Sequence, residues 1–157
     1  MDTKVKQKVG KIIGVAVAAV IAVIVFRGFF DIAYVSGESM EPVFYEGDIL
    51  LLKKWGSPEK GDIVTADVEG LDHIVVKRVL AAEGDYITWR DGGIFLNGER
   101  VAESADGMQK RNGGQESILS PGQYFLIGEN QEVSQDSRAF GCIEKSAVRG
   151  IVVCKLF

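Results

Sequence analysis

The sequence predicts an all-β, mostly antiparallel domain carried behind one N-terminal transmembrane helix. One long apolar run near the N-terminus, "IIGVAVAAVIAVIVF" from Ile12 to Phe26, holds no charge. After it, the apolar stretches are short, rich in β-branched residues and separated by Gly-Asp and Asn-Gly turns. The charge is split as well: residues 1–30 carry Lys4, Lys6, Lys8, Lys11 and Arg27 against Asp2, a net of +4, which leaves −8 for the remaining 127 residues. A basic head before an apolar run reads as a cytoplasmic N-terminus, and an acidic body excludes a nucleic-acid footprint.

Residues 1–11 are thus a basic cytoplasmic tail and 12–30 a membrane anchor. Fifteen helical residues reach only ~22 Å, but 19 residues ending at Phe30 reach ~28 Å, close to the hydrocarbon thickness. Arg27 would then snorkel to the outer interface beside Phe29, Phe30 and Tyr34. A cleavable signal peptide shares the basic start and apolar stretch, but "RGFFDIAYV" lacks a small-X-small cleavage site, so an uncleaved signal anchor is expected.

Residues 31–157 are expected to form one extracytoplasmic β-rich domain. "GDILLLKKW" (Gly47–Trp55), "GDIVTADV" (Gly61–Val68) and "HIVVKRVLAA" (His73–Ala82) read as strands. "DYITWRDGGIFLNGERV" (Asp85–Val101) reads as a hairpin with turns at Asp91-Gly92-Gly93 and Asn97-Gly98, inside a smaller hairpin-and-loop insert of about 85–123. Glu103–Ser117 is polar and Gly-rich and reads as a mobile surface loop. "QYFLIGEN" and "GIVVCKLF" supply further strands. Cys142 and Cys154 fit no zinc spacing; two buried free thiols are expected, with a single disulfide as the other reading.

Few residues here can do chemistry. His73 is the single histidine, so a Ser-His-Asp triad must use it or be absent. Its place at the head of an apolar strand, on the face of Val75 and Lys77, favours a strand-edge residue without a catalytic role. Lys77 stands inside "IVVKRVL", where an ammonium is costly to bury. Burial would lower its pKa from about 10.4 and free the amine to accept a proton from a serine. The same lysine could instead snorkel from a strand edge. "GENQEVSQDSRAFG" (Gly128–Gly141) gathers two serines, an acid and an arginine, either as a solvated loop or as a site in which Ser134 orients a base.

In order, these stretches resemble the type I signal peptidases, membrane-bound Ser-Lys endopeptidases. "SGESMEP" is similar to the family's nucleophile box, "EGDILLLKK" to its next strand box, "GDIVTADV" through "HIVVKRVLAAEGD" to its lysine box and "GENQEVSQDSRAFG" to its final box; the chain looks like a compact, Gram-positive-like member. The resemblance implies a β-rich catalytic domain of the signal-peptidase and repressor-protease type. It implies Ser39 as nucleophile, Lys77 as general base, and Gly37 with the Ser39 N–H at the oxyanion hole. It further implies that Ser134 orients the lysine and that Asp136 with Arg138 braces the site. Arg78 with Glu129 would add support, although Glu129 is one methylene longer than the family's aspartate and Gln131 replaces its arginine. Val35, Ser36, Met40, Val75 and Val76 would bind an extended substrate and favour small residues one and three places before the cut. The implied partners are exported preproteins and membrane lipid, with the secretion translocon as a candidate neighbour; no metal or cofactor is implied. Two other readings remain at this point: a self-cleaving repressor-type Ser-Lys protease and a non-catalytic membrane-anchored accessory protein of the same descent.

Overall fold

The computed structural model describes residues 3–103 and 116–157. It opens on α1 (Thr3–Phe29), whose stretch Gly10–Phe29 is 20 residues long, apolar enough to cross a membrane and not buried against the rest of the chain. Twenty residues at 1.5 Å rise span ~30 Å. The helix is apolar all round, with no polar stripe to set against a soluble core.

The helix passes directly into β1 (Phe30–Tyr34), so Phe30 is the first residue of the sheet. β2 (Ile49–Lys53), β3 (Ile63–Asp67) and β4 (Ile74–Ala81) follow, then β5 (Tyr86–Arg90), β6 (Gly93–Leu96), β7 (Glu99–Glu103) and β8 (Glu116–Ile118). β9 (Gln123–Ile127), a short helix α2 (Ser137–Phe140), β10 (Ile143–Glu144) and β11 (Val148–Lys155) complete the described chain. The strands form a seven-stranded sheet in the order β1-β2-β11-β3-β4-β9-β10 and a four-stranded sheet in the order β7-β6-β5-β8. The strand pairs are antiparallel. The domain is all-β, as its sequence predicts.

The four-stranded sheet is inserted between β4 and β9. Its two hairpin turns place Asp91 and Gly92, and then Asn97 and Gly98, at positive φ, the geometry that matches the right-handed twist of flanking strands. Ile87, Trp89, Ile94 and Leu96 pack from it onto Ala81, Phe125 and Ile127 of the main sheet, with the Trp89 and Phe125 rings edge to face at 5.8 Å. Of the polar stretch Glu103–Ser117, Glu103 ends β7 and Glu116 with Ser117 opens β8; its middle lies outside the described residues.

Both cysteines are free thiols. Cys142 is half-buried, and burial pushes its thiol pKa up. Cys154 is exposed, which corrects the expectation of two buried thiols. β11 pairs with β3 only over Val148–Ile151, and past the irregularity between Val152 and Cys154 it has β2 alone as neighbour.

Two features of this sheet position the site. The Lys77 half of β4 pairs with β3, Ile74 opposite Asp67 and Lys77 opposite Val64, whereas β9 covers β4 only from Arg78 to Ala81. Beyond Ile127 the chain turns away, so the other edge of Ile74–Lys77 is left open. The sheet also curls enough that Tyr34–Ser36, at the end of β1, face Ile74–Lys77 across a shared cleft.

Candidate active site

Ser39 sits in the 35–48 connection between β1 and β2. The loop is closed on itself by Val35 N–H to the Asp48 carbonyl and Gly47 N–H to the Val35 carbonyl, both 2.9 Å. After Ser39 the chain makes a helical turn, with Val43 and Phe44 N–H groups both donating to the Met40 carbonyl at 2.9 Å. Val35, Met40 and Phe44 then bury themselves on Leu50 and Leu52 of β2, with Val76 packed against them. The apolar side chains around the serine therefore hold its loop down and leave Ser39 itself half-exposed at the top. Two residues earlier, Gly37 has φ of +83°, a conformation that disfavours any residue with a Cβ.

Strand alternation turns Lys77 inward, where it is 3 % exposed. Its Nζ lies 2.6 Å from Ser39 Oγ and 3.0 Å from the Val76 carbonyl oxygen. Burial lowers the Lys77 pKa from 10.5 to about 8, against an opposing pull from the Asp136 carboxylate. A lysine near that value supplies neutral amine at mildly alkaline pH. Ser39 Oγ therefore has a buried amine within hydrogen-bond reach, whereas His73 is exposed at the rim of the cleft.

The second segment of the site runs from Gly128 to Arg138. Asp136 is fully buried and Arg138 is 4 % exposed; Arg138 Nε donates to Asp136 Oδ1 at 2.8 Å and an Arg138 terminal nitrogen to Oδ2 at 3.0 Å. Arg138 also donates to the Gln131 carbonyl at 2.7 Å, and Asp136 caps α2 by accepting the Arg138 N–H. The far oxygen of Asp136 accepts the Gly128 N–H at 3.0 Å. Asn130 N–H in turn donates to the Ser39 carbonyl at 3.1 Å, and Ser134 N–H to the Asn130 carbonyl at 3.1 Å. The ion pair thus reaches Ser39 through a short relay of backbone contacts.

Arg78 and Glu129 meet as a part-exposed ion pair, so the longer glutamate still reaches its arginine. Arg78 also donates to the Gly61 carbonyl. Ser134 Oγ is buried and has no hydrogen-bond partner, so a Ser134 bond to the Lys77 amine is not formed in this structure. Ser137, the other serine of this stretch, has a fold-holding contact: its Oγ accepts the Leu126 N–H at 2.9 Å and ties α2 to β9.

Sequence reasoning passed over Gly128. A Cβ there would stand 2.2 Å from Ser134 Oγ and 2.6 Å from the Ser39 carbonyl oxygen, too close for either. The requirement is visible only once the two loops meet. Gly128→Ala is expected to displace the Ser39 backbone and lower kcat at least tenfold while the melting temperature falls by only a few degrees. Steady-state kinetics on purified protein, set beside thermal unfolding, checks both parts.

Cavities flank Ser39 on both sides. One of about 300 Å³ is lined by Tyr34, Val35, Ser36, Met40, Val75 and Val76 together with Ser39 and Lys77. The other, of about 370 Å³, is bounded by Gly37, Glu38, Glu46, Val133 and Gln135. The geometry therefore assembles a hydroxyl, a buried amine and an extended groove open at a strand edge, an arrangement able to carry acyl transfer on a chain laid along it. Among the described residues no group of His, Cys, Asp and Glu side chains is placed to hold a metal ion.

Known proteins bear on this arrangement. Signal peptidase IB of Staphylococcus aureus is 29% identical over 169 aligned residues, covering 94% of this chain and 88% of that protein. Signal peptidase I of Bacillus licheniformis is 29% identical over 151 residues, covering 87% of this chain and 81% of that protein. A crystal structure of a signal peptidase I from Enterococcus faecalis matches 61% of this chain and 97% of its own at 27% identity, with a TM-score of 0.44. The family model described as "Signal peptidase, peptidase S26" matches residues 7–157. With that match over nearly the whole length, the chain belongs to the signal peptidase family and is a peptidase of the type I class.

Proposed function

We propose that this protein is a membrane-anchored serine endopeptidase that removes signal peptides from exported preproteins by a Ser39–Lys77 dyad. The observation that carries the mechanism is the 2.6 Å contact between Ser39 Oγ and a buried Lys77 Nζ whose pKa is lowered to about 8. α1 holds the domain at the outer membrane face, where a tethered substrate is present at high effective concentration.

The substrate's cleavage segment lies extended in the cleft and adds as a strand along the open edge of Ile74–Lys77, with Val35–Ser36 opposite it. Side chains one and three places before the cut share one face of the extended chain and enter the cavity of Val35, Met40 and Val76. Val35 and Met40 in the pocket wall are fixed by packing on Phe44 and Leu50, and small side chains in an Ala-X-Ala pattern are the proposed fit.

Neutral Lys77 accepts the Ser39 hydroxyl proton as Oγ attacks the scissile carbonyl carbon. The resulting oxyanion is met by backbone N–H groups of the 37–39 turn, that of Ser39 included, with Gly37 bending the turn. Lys77 then delivers its proton to the leaving amine, the C–N bond breaks and the signal peptide stays esterified to Ser39. A water gives one proton to Lys77 and attacks the ester, Ser39 regains a proton from Lys77 as the C–Oγ bond breaks, and the released carboxylic acid loses water's second proton to solvent. In this reading Asp136–Arg138 holds the loop beneath Ser39, and the buried, unpartnered Ser134 Oγ takes up the amine as it moves.

The test is processing of a preprotein bearing an Ala-X-Ala site by the purified full chain in detergent or vesicles. Wild type should cut after the second alanine, and Ser39→Ala should reduce cleavage to background without altering thermal unfolding. Retained cleavage by Ser39→Ala would overturn the proposal.

A further inference from the structure

A second groove, of about 100 Å³ and apart from the Ser39 cleft, is lined by Lys53, Lys54, Trp55, Lys145, Arg149 and Gly150. We propose that it seats the phosphate of an anionic phospholipid headgroup, with Lys53, Lys145 and Arg149 as the cationic contacts and Trp55 as the wall toward the acyl chains. This inference rests on the membrane-anchored reading of α1 and adds a specific lipid site to it.

The groove's height relative to a bilayer follows from hydrogen bonds to the anchor. Lys54 N–H donates to the Phe29 carbonyl and Lys54 Nζ to the Arg27 carbonyl, both at 2.9 Å, which pins Lys53-Lys54-Trp55 to the last turn of α1. The Trp55 ring packs edge-on against Phe30 at 4.9 Å and Phe29 at 5.8 Å, and Trp55 remains 46 % exposed. If Gly10–Phe29 fills the ~30 Å hydrocarbon layer, Phe29 and Trp55 lie at its outer boundary, where tryptophan concentrates, and the groove beside Trp55 opens among the phosphates.

The charge fits that position. The chain beyond residue 30 carries a net −8, yet four cations converge here. The opposing groups are few: Arg149 pairs with Asp67, both well exposed, and Lys145 Nζ donates to Ser57 Oγ at 2.8 Å. Lys54 is occupied by the Arg27 carbonyl, and among the described residues neither Lys53 nor Lys145 pairs with a carboxylate, while Arg149 keeps spare donors. Each cation close to an anionic bilayer surface strengthens association by about fivefold.

The test uses the full chain in vesicles and nanodiscs of phosphatidylcholine, with and without phosphatidylglycerol. Wild type should float with both vesicle types. Released from mixed nanodiscs, it should retain phosphatidylglycerol over phosphatidylcholine by at least tenfold in native mass spectrometry. Lys53→Gln/Lys145→Gln/Arg149→Gln should float equally and lose that preference, and the single variant Lys145→Glu should weaken it severalfold. None of the three lines the Ser39 cleft, so peptide cleavage in detergent should be unchanged and reports an intact fold. A wild type without lipid preference, a triple variant that keeps it, or displacement of the lipid by soluble glycerophosphate at equal concentration overturns the headgroup site while flotation upholds the anchor. A wild type that fails to float overturns the anchor and the site with it.

Discussion

Lys77→Met is expected to make the protein inactive and more stable at once. General-base assistance is worth roughly 10²–10⁴ in rate, so cleavage of an Ala-X-Ala preprotein should fall by about three orders of magnitude. The stability gain comes from the same burial that lowers the lysine pKa. In the unfolded chain Lys77 titrates at 10.5 and in the fold at about 8. Below pH 8 both states carry the proton, and the folded state bears the whole penalty of an ammonium in an apolar site, about 3 kcal/mol for a shift of this size. Between about 8 and 10.5 the unfolded chain holds the extra proton, so wild-type stability rises with pH and the penalty fades. Methionine fills similar volume without charge. Denaturant unfolding at pH 6.5 should therefore show Lys77→Met about 2–3 kcal/mol more stable than wild type, with the gap closing toward pH 10.5. Equal stability at pH 6.5 would mean that Lys77 is not desolvated.

Arg138→Met is expected to have the opposite effect. It leaves the fully buried Asp136 carboxylate without its partner, and breaking a buried pair from one side costs about 3–5 kcal/mol. The loss also propagates. Asp136 holds Gly128 through its N–H, and the Gly128–Ser134 stretch supports the Ser39 carbonyl through Asn130. Melting temperature and kcat should both fall sharply while KM changes little, because the Ile74–Lys77 edge proposed to bind substrate is not touched. Arg78→Met supplies the comparison. Its pair with Glu129 is part-exposed, and such pairs contribute about 0–1 kcal/mol, so that variant should stay near wild type in stability.

How much of this was legible in the sequence depended on whether a feature was local. Strands β2, β3 and β4 and the Asp91-Gly92 and Asn97-Gly98 turns could be read from apolar runs and turn residues, because short-range sterics set them. β1 could not: in "FDIAY" the apolar alternation of Phe30, Ile32 and Tyr34 is not followed by burial, and the segment becomes a strand because Phe30–Tyr34 find Ile49–Lys53 across the 35–48 loop. Lys77 stood out because an ammonium in an apolar β-strand is anomalous wherever it occurs. Its partner Ser39 did not; in isolation it was a serine in a turn, and its role came from the order of the motifs. Gly128 was invisible for the same reason, since its need to lack a Cβ arises only where two loops 89 residues apart in the chain touch. Exposed Cys154 likewise depends on where β3 stops beside β11, and the unpartnered Ser134 hydroxyl on how its loop packs, neither of which spacing encodes.

The central claim is that a neutral Lys77 is the base for Ser39, and the pH dependence of kcat/KM for preprotein cleavage tests it most directly. Raising pH through the Lys77 pKa converts ammonium to amine, so the rate should climb tenfold per unit at low pH, bend near pH 8 and level above it. An ascending limb with an apparent pKa near 8 is the predicted result; an optimum below pH 6, or a profile without that limb, would contradict a lysine base.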